Sequence, residues 1–305
     1  MTAKLIVNPV SARGKLSRRW SQIEEVLRSE GFHYEATFTQ ERGHAVELTQ
    51  AALKAGFDLI VAVGGDGTLN EVVNGMLLEG GKAANPEVAL GVISTGTGAD
   101  FVRTAGIPRD AVEAATHLAR ATGILPLDVA EMNYDRDGRQ VSRYFANVAG
   151  MGFDAEVVER TERGGKRGGG TLPYLSTLIG TIATYRNKDV ELCIDDRKLQ
   201  GRVNSVVICN GQYFGGGMRV GPNATLDDGL LDVVLIGDMN TFEVLVNTPK
   251  IYNGTHLSLA KVSEYRARIV RVLPRQRMMI QADGELIGEG AATFRIHPAA
   301  LKLRV

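Results

Sequence analysis

The sequence predicts an α/β N-terminal domain built on a parallel sheet, followed by a mainly antiparallel β-sandwich domain. Two periodicities and a set of glycine loops carry that expectation. Up to Asp128, short apolar runs alternate with apolar stripes at helical spacing; beyond it, strand-like patterns predominate. Glycine-rich segments follow three of the N-terminal apolar runs, at the points where strands of a parallel sheet would end. The expected division is 1–128 for the α/β domain and 129–294 for the β-rich domain, each with its own sheet. A last strand in 295–305 is able to join either.

In chain order, Leu5–Val7 reads as a buried strand, and Leu16, Trp20, Ile23 and Leu27 recur along one helix face. "HYEATF" is a second strand and is followed by a helix from His44 to about Ala55, which Gly56 ends. "LIVAV" is the third strand, and Val72, Val73, Met76 and Leu77 form the apolar face of the helix after it. "VALGVI" is the fourth strand and "DAVEAATHLAR" a later helix. "VAEMNYDRDGRQVSRYFANVAG" then reads as two strands around an Asp-Gly turn. Strand signals continue at "DVELCIDD", "RVNSVVICN", "LLDVVLI", "ARIVRVL" and "RMMIQADGE". Helical exceptions are "YLSTLIGTIATYR" and "NTFEVLVNTPKIYNG".

Composition excludes several function classes. Lys plus Arg is 35 and Asp plus Glu is 35 in 305 residues, so no global charge draws the chain to nucleic acid, and no nucleic-acid partner is expected. Cys193 and Cys209 lie in apolar strand-like runs and read as buried thiols of a reducing compartment. Five scattered histidines form no ligand cluster. The apolar run before Asn8-Pro9 is too short for a signal-peptide core, and no stretch approaches the roughly 20 apolar residues of a membrane span. A cytoplasmic location is the resulting expectation.

The three glycine segments are "NPVSARGK", "GGDGTLNE" and "STGTGADF". Glycine lets backbone approach a polyanion without a Cβ in the way, and helix N-termini present free N–H groups to it. Ser11, Thr39, Thr68, Ser94 and Thr97 add hydroxyls, and Arg13 or Lys15 a positive charge. Three such loops on one sheet edge read as a phosphate cradle, whereas any one alone is an ordinary tight connection. Neither G-x-x-x-x-G-K-[ST] nor G-x-G-x-x-G after the first strand is present. A carboxylate at Asp66 inside such a loop points to Mg2+, because it would repel bare phosphate but hold a hydrated metal beside it.

"GGDGT" after a strand, with "LNEVVNG" behind it, is similar to the diacylglycerol kinase catalytic domain family of lipid kinases, whose nearest look-alikes are bacterial soluble lipid kinases. "VNPVSARGK", "GVISTGTGADFVR", "NVAGMGFDAEVV", "NGQYFGGGMRVGPNATLDDGLLDVVLI", "NGTHLSLAKV" and "QADGELIGEG" follow in the family's order, so the resemblance spans nearly the whole chain. It implies an N-terminal domain like those of NAD kinases and phosphofructokinases. There are departures: Ala12 stands where the family usually has glycine, Thr95 where proline is common, and Ala99 where asparagine is common.

The resemblance implies that Asn8, Pro9, Val10, Ser11, Ala12, Thr39, Gly65, Asp66, Gly67, Thr68, Leu69, Asn70, Glu71 and Thr97 contact ATP, with Asp66 also a catalytic residue in the metal–water network by the phosphates. It implies a structural Mg2+ at "TLDDGL", bound by the Asp228 carboxylate and the Thr225 and Leu230 carbonyls; the plain alternative is an Asp-Gly turn between strands. Asp283 and Glu285 are the acid–base candidates. A lipid hydroxyl attacks only if a group accepts its proton, and on a regular strand their spacing puts both carboxylates on one face. The family uses a position of this box as proton acceptor, which favours Glu285 with Asp283 close behind; a solvated hairpin turn is the alternative.

The expected activity is Mg2+-dependent transfer of the ATP γ-phosphoryl group to the hydroxyl of diacylglycerol or a related lipid. Contact with the inner membrane face would be peripheral, through "RTERGGKRGGGTLPYL", with a homodimer left open. Rival readings are an NAD kinase-like small-molecule kinase and a non-catalytic lipid- or nucleotide-binding regulator.

Overall fold

The computed structural model describes residues 2–96, 98–163, 180–181 and 184–305. Thr97, most of the segment expected to touch membrane and most of the "YLSTLIGTIATYR" helix lie outside the described residues.

Four parallel strands open the chain: β1 (Ala3–Val7), β2 (Tyr34–Phe38), β3 (Leu59–Gly64) and, after a two-residue ladder of β4 (Leu77–Leu78) and β5 (Lys82–Ala83), β6 (Ala89–Ser94). β3 and β6 are buried along their whole length, as strands covered on both faces must be. The covering helices are α1 (Lys15–Ser29), α2 (His44–Lys54), α3 (Asp66–Met76), α4 (Asp100–Ala105) and α5 (Ala111–Arg120). The order β2-β1-β3-β6 brings the ends of all four strands to one edge, where the loops after them converge.

The second half is antiparallel. β7 (Ile124–Arg136) and β8 (Arg139–Phe145) meet at Asp137-Gly138, both at positive φ as a two-residue hairpin turn requires. There follow β9 (Val148–Gly152), α6 (Phe153–Arg163), β10 (Lys188–Ile194), β11 (Arg197–Cys209), β12 (Leu231–Gly237) and α7 (Thr241–Tyr252). β13 (Val262–Ala267), β14 (Ile269–Pro274), β15 (Met279–Ala282), β16 (Glu285–Glu289) and β17 (Ala292–Arg304) complete the chain.

The expectation of two separate sheets is corrected. β17 pairs antiparallel with β14 at its start and lies parallel to β6 at Lys302 and Leu303, so one hydrogen-bonded sheet runs through both halves. β7 pairs with β17 along nearly its whole length, and Asp128 therefore sits inside a strand rather than in a linker. The cores are nevertheless distinct. Phe294 and Ile296 of β17 pack with Phe145 and Val270, whereas Leu301 and Leu303 pack with Leu5 and Val61. The change of direction falls at an irregularity between His297 and Leu301, where the Asp128 carboxylate accepts the Gly229 and Ala299 N–H groups at 2.6 Å each.

Close approach of α2 and α3 depends on Gly75. A Cβ there would stand 2.7 Å from the Thr49 Cβ and 2.9 Å from the Val46 carbonyl, with no flexible tip to yield. Gly75→Ala is therefore expected to lower stability by about 1–3 kcal/mol through overpacking. Urea unfolding checks this, and an unchanged midpoint would mean that the helices part at no cost.

Candidate functional site

Three loops meet at the carboxyl edge of the parallel strands. The Asn8 side chain spans two of them, donating Nδ2–H to the Thr68 hydroxyl at 3.0 Å and accepting the Val10 N–H at 3.2 Å. The Ser11 and Thr95 hydroxyls are hydrogen-bonded at 2.8 Å. Glycine is needed where the loops touch: a Cβ on Gly96 would stand 3.0 Å from the Gly65 Cα, and one on Gly64 2.4 Å from the Thr68 Oγ1. Glu71 reaches across from α3 to accept the Gly43 and Ala45 N–H groups, capping α2 in place of its N-cap glycine.

Asn8, Pro9, Val10, Ser11, Thr39, Gly65, Asp66, Gly67, Thr68 and Glu71 line one cavity of about 890 Å3, together with Asp283 and Glu285. The expectation of an unbroken contact set over 65–71 is corrected at two positions. Leu69 packs into the core, and Asn70 is fully buried with its amide donating to the Tyr144 carbonyl and the Asp283 carboxylate. Ala12 belongs to the 3-10 turn Ser11–Gly14 that leads into α1.

Asp66 opens α3 and faces a second acid across Gly98. A Cβ on Gly98 would stand 3.0 Å from the Asp66 Oδ2 and 3.4 Å from the Asp100 Oδ2. Burial, then the charges of Asp100 and Asp283, push the Asp66 pKa up to about 7 against the pull of the Phe101 and Asp100 N–H groups. Burial also raises Asp100, whose carboxylate accepts the Gly216 N–H at 2.8 Å.

The strand geometry assumed for Asp283 and Glu285 does not hold. Asp283 and Gly284 form the two-residue turn between β15 and β16, at φ 48° and 80°, so the two carboxylates diverge. Asp283 accepts from Asn70 Nδ2 at 2.9 Å and from the Ala146, Asn147 and Val148 N–H groups at 3.1–3.2 Å. Burial nonetheless raises its pKa. Glu285 faces the cradle: a Cβ on Gly67 would stand 3.3 Å from its Oε1. Its Oε2 is held by Arg143 and, at 3.1 Å, by Arg42.

Arg42, Arg143, Asp154 and Gln281 belong to the site without having been expected there. Gln281 donates to the Asp154 Oδ2 at 3.0 Å and accepts the Gly284 N–H at 3.1 Å, linking α6 to the turn that carries Glu285. Asp154 sits just after the glycines of "NVAGMGFDAEVV", the one sequence signal for it. The arginines lie in charged segments that carry none. Beyond these polar groups the same cavity is mainly apolar, walled by Val157 of α6, Val207 of β11, Phe214, and Val244 and Ile251 of α7, with Ser205, Asn247 and His256 among them.

Thr225, Asp228 and Leu230 are brought together, but outside this cavity. The Asp228 carboxylate accepts the Thr225 hydroxyl at 2.6 Å and the Leu230 N–H at 3.0 Å, and is paired with Arg266. Next to it both Asp232 oxygens are buried without a hydrogen bond, 3.7 Å from Arg266 at the nearest. Burial, with Glu264 and Asp228 nearby, holds Asp232 up at about 6 although Arg266 lowers it. Among the described residues no three His, Cys, Asp or Glu side chains converge on a metal position; the Asp232 oxygens left without a hydrogen bond are the feature here that a hard divalent cation would satisfy.

The fold and the loops define a class: two-domain proteins with the architecture shared by diacylglycerol kinases and NAD kinases. The chain belongs to the family of diacylglycerol kinases and YegS-like lipid kinases. The family model "Diacylglycerol kinase catalytic domain" matches residues 2–132, and "YegS C-terminal NAD kinase beta sandwich-like domain" matches 147–305. The chain is 28% identical to a diacylglycerol kinase of Bacillus subtilis, over 94% of this chain and 90% of that one. It is 33% identical to a probable YegS-like lipid kinase of Pseudomonas putida, over 92% and 88% of the two chains. A crystal structure of a putative diacylglycerol kinase from Bacillus anthracis superimposes with a TM-score of 0.77 at 26% identity, covering 99% of this chain and 96% of that chain. Yeast NADH kinase shares the fold, with a TM-score of 0.55 at 11% identity, covering 99% and 82%.

Two predictions follow from this geometry. Asp66 binds its proton more tightly folded than unfolded, where a carboxyl titrates near 3.9. Stability therefore falls as pH rises between about 4 and 7 and stays low above that. Asp66→Asn should match the parent near pH 4 and exceed it by roughly 1–3 kcal/mol at pH 8; urea unfolding at both pH values reads this, and a pH-independent difference would contradict it. Ala99 sits at φ 49°, the left-handed region where asparagine and glycine are at ease. Ala99→Gly should raise stability by up to about 1 kcal/mol, and a loss of stability would show that the site bears no strain.

Proposed function

We propose that the protein transfers the γ-phosphoryl group of ATP to the primary hydroxyl of a diacylglycerol or related lipid, with Mg2+. The observation that carries this reading is the single cavity: glycine loops and an α-helix N-terminus at one part, an apolar chamber at the other, and Glu285 in the wall beside Gly67. A soluble acceptor such as NAD gives no reason for the apolar part. Family membership supports both ATP and a lipid acceptor.

Glu285 acts as general base. The lipid oxygen forms its bond to the γ-phosphorus as the hydroxyl proton passes to the Glu285 Oε1; the bond from phosphorus to the β,γ-bridging oxygen breaks, and ADP leaves with those electrons. Arg143 and Arg42 fix Oε2 and hold positive charge next to the phosphates. Asp283 holds the turn in place through its four donors. Gly65 and Gly67 admit the phosphates to the start of α3. Asp66 and Asp100, facing one gap, are the residues that would hold Mg2+ near the phosphates, where it would screen developing charge. Asp228, with the Thr225 and Leu230 carbonyls, would hold a second ion that braces the β12 loop, with Arg266 released from Asp228.

Purified protein, labelled ATP and a panel of lipid extracts test the reading. Phosphate appearing only on NAD, or on no lipid, would overturn it. Glu285→Gln keeps size and removes basicity, so turnover at saturating lipid should fall by about 10²–10⁴ with ATP affinity retained. Asp283→Asn should also be impaired, through the orientation of the turn. If both variants keep more than about a tenth of parental turnover, the base lies outside this turn.

A further inference from the structure

Helix α7 turns a mixed face to the chamber and an apolar stripe to the outside. Val244, Asn247, Thr248, Ile251 and Tyr252 line the chamber. On the opposite face Phe242, Leu245 and Val246 are 73%, 54% and 55% exposed, and Pro249 is exposed after them. The spacing of 242, 245, 246 and 249 places all four on one stripe. No residue of the helix is buried, so α7 is a thin wall between the chamber and the outside.

The stripe carries no ionisable side chain. Glu243 is turned into the capping box with Asn240 and bonded to Lys261 at 2.7 Å, which also fixes the start of the helix. Lys250 lies on the flank, and Tyr252, 47% exposed, sits at the C-terminal end, where an amphipathic ring suits a boundary between headgroups and water. An uncharged stripe edged by one lysine and one tyrosine has the composition of a helix that lies in a lipid interface.

We propose that the outer face of α7, through Phe242, Leu245 and Val246, docks the protein onto a lipid bilayer. The inference rests on the lipid-kinase reading for its purpose: seating this wall among the headgroups puts the chamber beside the acyl chains from which the acceptor is drawn. A second copy of the chain fits the face less well. A stable dimer interface buries about 800 Å2 per partner, and three side chains on one helix fall well short of that. The stripe is also continuous with the chamber wall, a placement that membrane access explains and self-association does not. None of the three side chains lines the cavity, so docking and chemistry are separable by mutation.

The test is flotation with phosphatidylcholine vesicles, with and without phosphatidylglycerol, comparing the parent with F242S/L245S/V246S. Vesicle binding should weaken by at least on the order of 100-fold, and turnover should fall on vesicle-borne diacylglycerol but not on a short-chain, water-dispersed one. Phe242→Trp, a conservative change, should show an emission blue shift on vesicles and quenching by brominated acyl chains, beyond any response of Trp20 in the parent. Equal flotation of parent and triple variant, or no spectral response at position 242, would overturn the proposal. So would a parental dimer that the triple variant dissolves while vesicle binding persists. If the parent phosphorylates no lipid yet its flotation still needs the three side chains, the docking surface stands and the kinase reading falls.

Discussion

The carboxylate of Asp283 holds the site together. It sits in a two-residue turn of the β-rich half, yet one of its four donors comes from Asn70 of α3 and three from the backbone that links β8 to β9. One side chain thus ties the helix behind the glycine loop to the sheet that carries Glu285. A half-buried carboxylate with four donors is costly to disturb, because each donor would lose a charge-assisted hydrogen bond. Glu285, two residues on, inherits its position against Gly67 from that constraint. Asn70 strengthens the joint by accepting from Arg143 at 2.8 Å, the arginine that also holds Glu285.

Around this joint the structure gathers several acids, with Arg42, Arg103 and Arg143 beside them. Asp66 and Asp100 share one gap, and burial raises both; Asp154 is raised too, while Gln281 steadies it. Perturbed acids gathered in one cleft mark a functional site better than any of them does alone. The arrangement is stable enough to form because other interactions offset it: helix N-terminal N–H groups at Asp66, the Gly216 N–H at Asp100, and a continuous sheet below. β17 contributes to both cores and pairs with strands of both halves, so the cleft is built on one framework. That would suit the proposed reaction, in which Glu285 on one half must meet a phosphate held by the other within hydrogen-bond reach.

Much of this was legible in the residues. Strand–helix alternation gave the parallel order, because buried strands and amphipathic helices differ in period. Glycines in three loops marked the cradle, because backbone contact such as Gly65 against Gly96 leaves no room for a Cβ. The Asp137-Gly138 turn was readable too, because a two-residue hairpin turn needs positive φ at both positions. Less visible was what depends on direction in space. Leu69 and Asn70 fall in the motif but turn inward, since a helix distributes neighbouring residues around its circumference. Asp283 and Glu285 share a face only if the chain between them is extended, and the positive φ of the turn separates them.

The sequence by itself determined the elements, the glycine loops and the acids to consider, because these follow from short-range periodicity, backbone sterics and side-chain chemistry. Only the tertiary structure decided that β17 fuses the two sheets, that Arg42 and Arg143 converge on Glu285, and that Asp154 reaches the same turn through Gln281. It also decided that α7 shows an apolar stripe to the outside while its other face walls the chamber. Those facts depend on contacts between residues far apart in the chain, and no local pattern encodes which distant partner a charged or apolar side chain will meet.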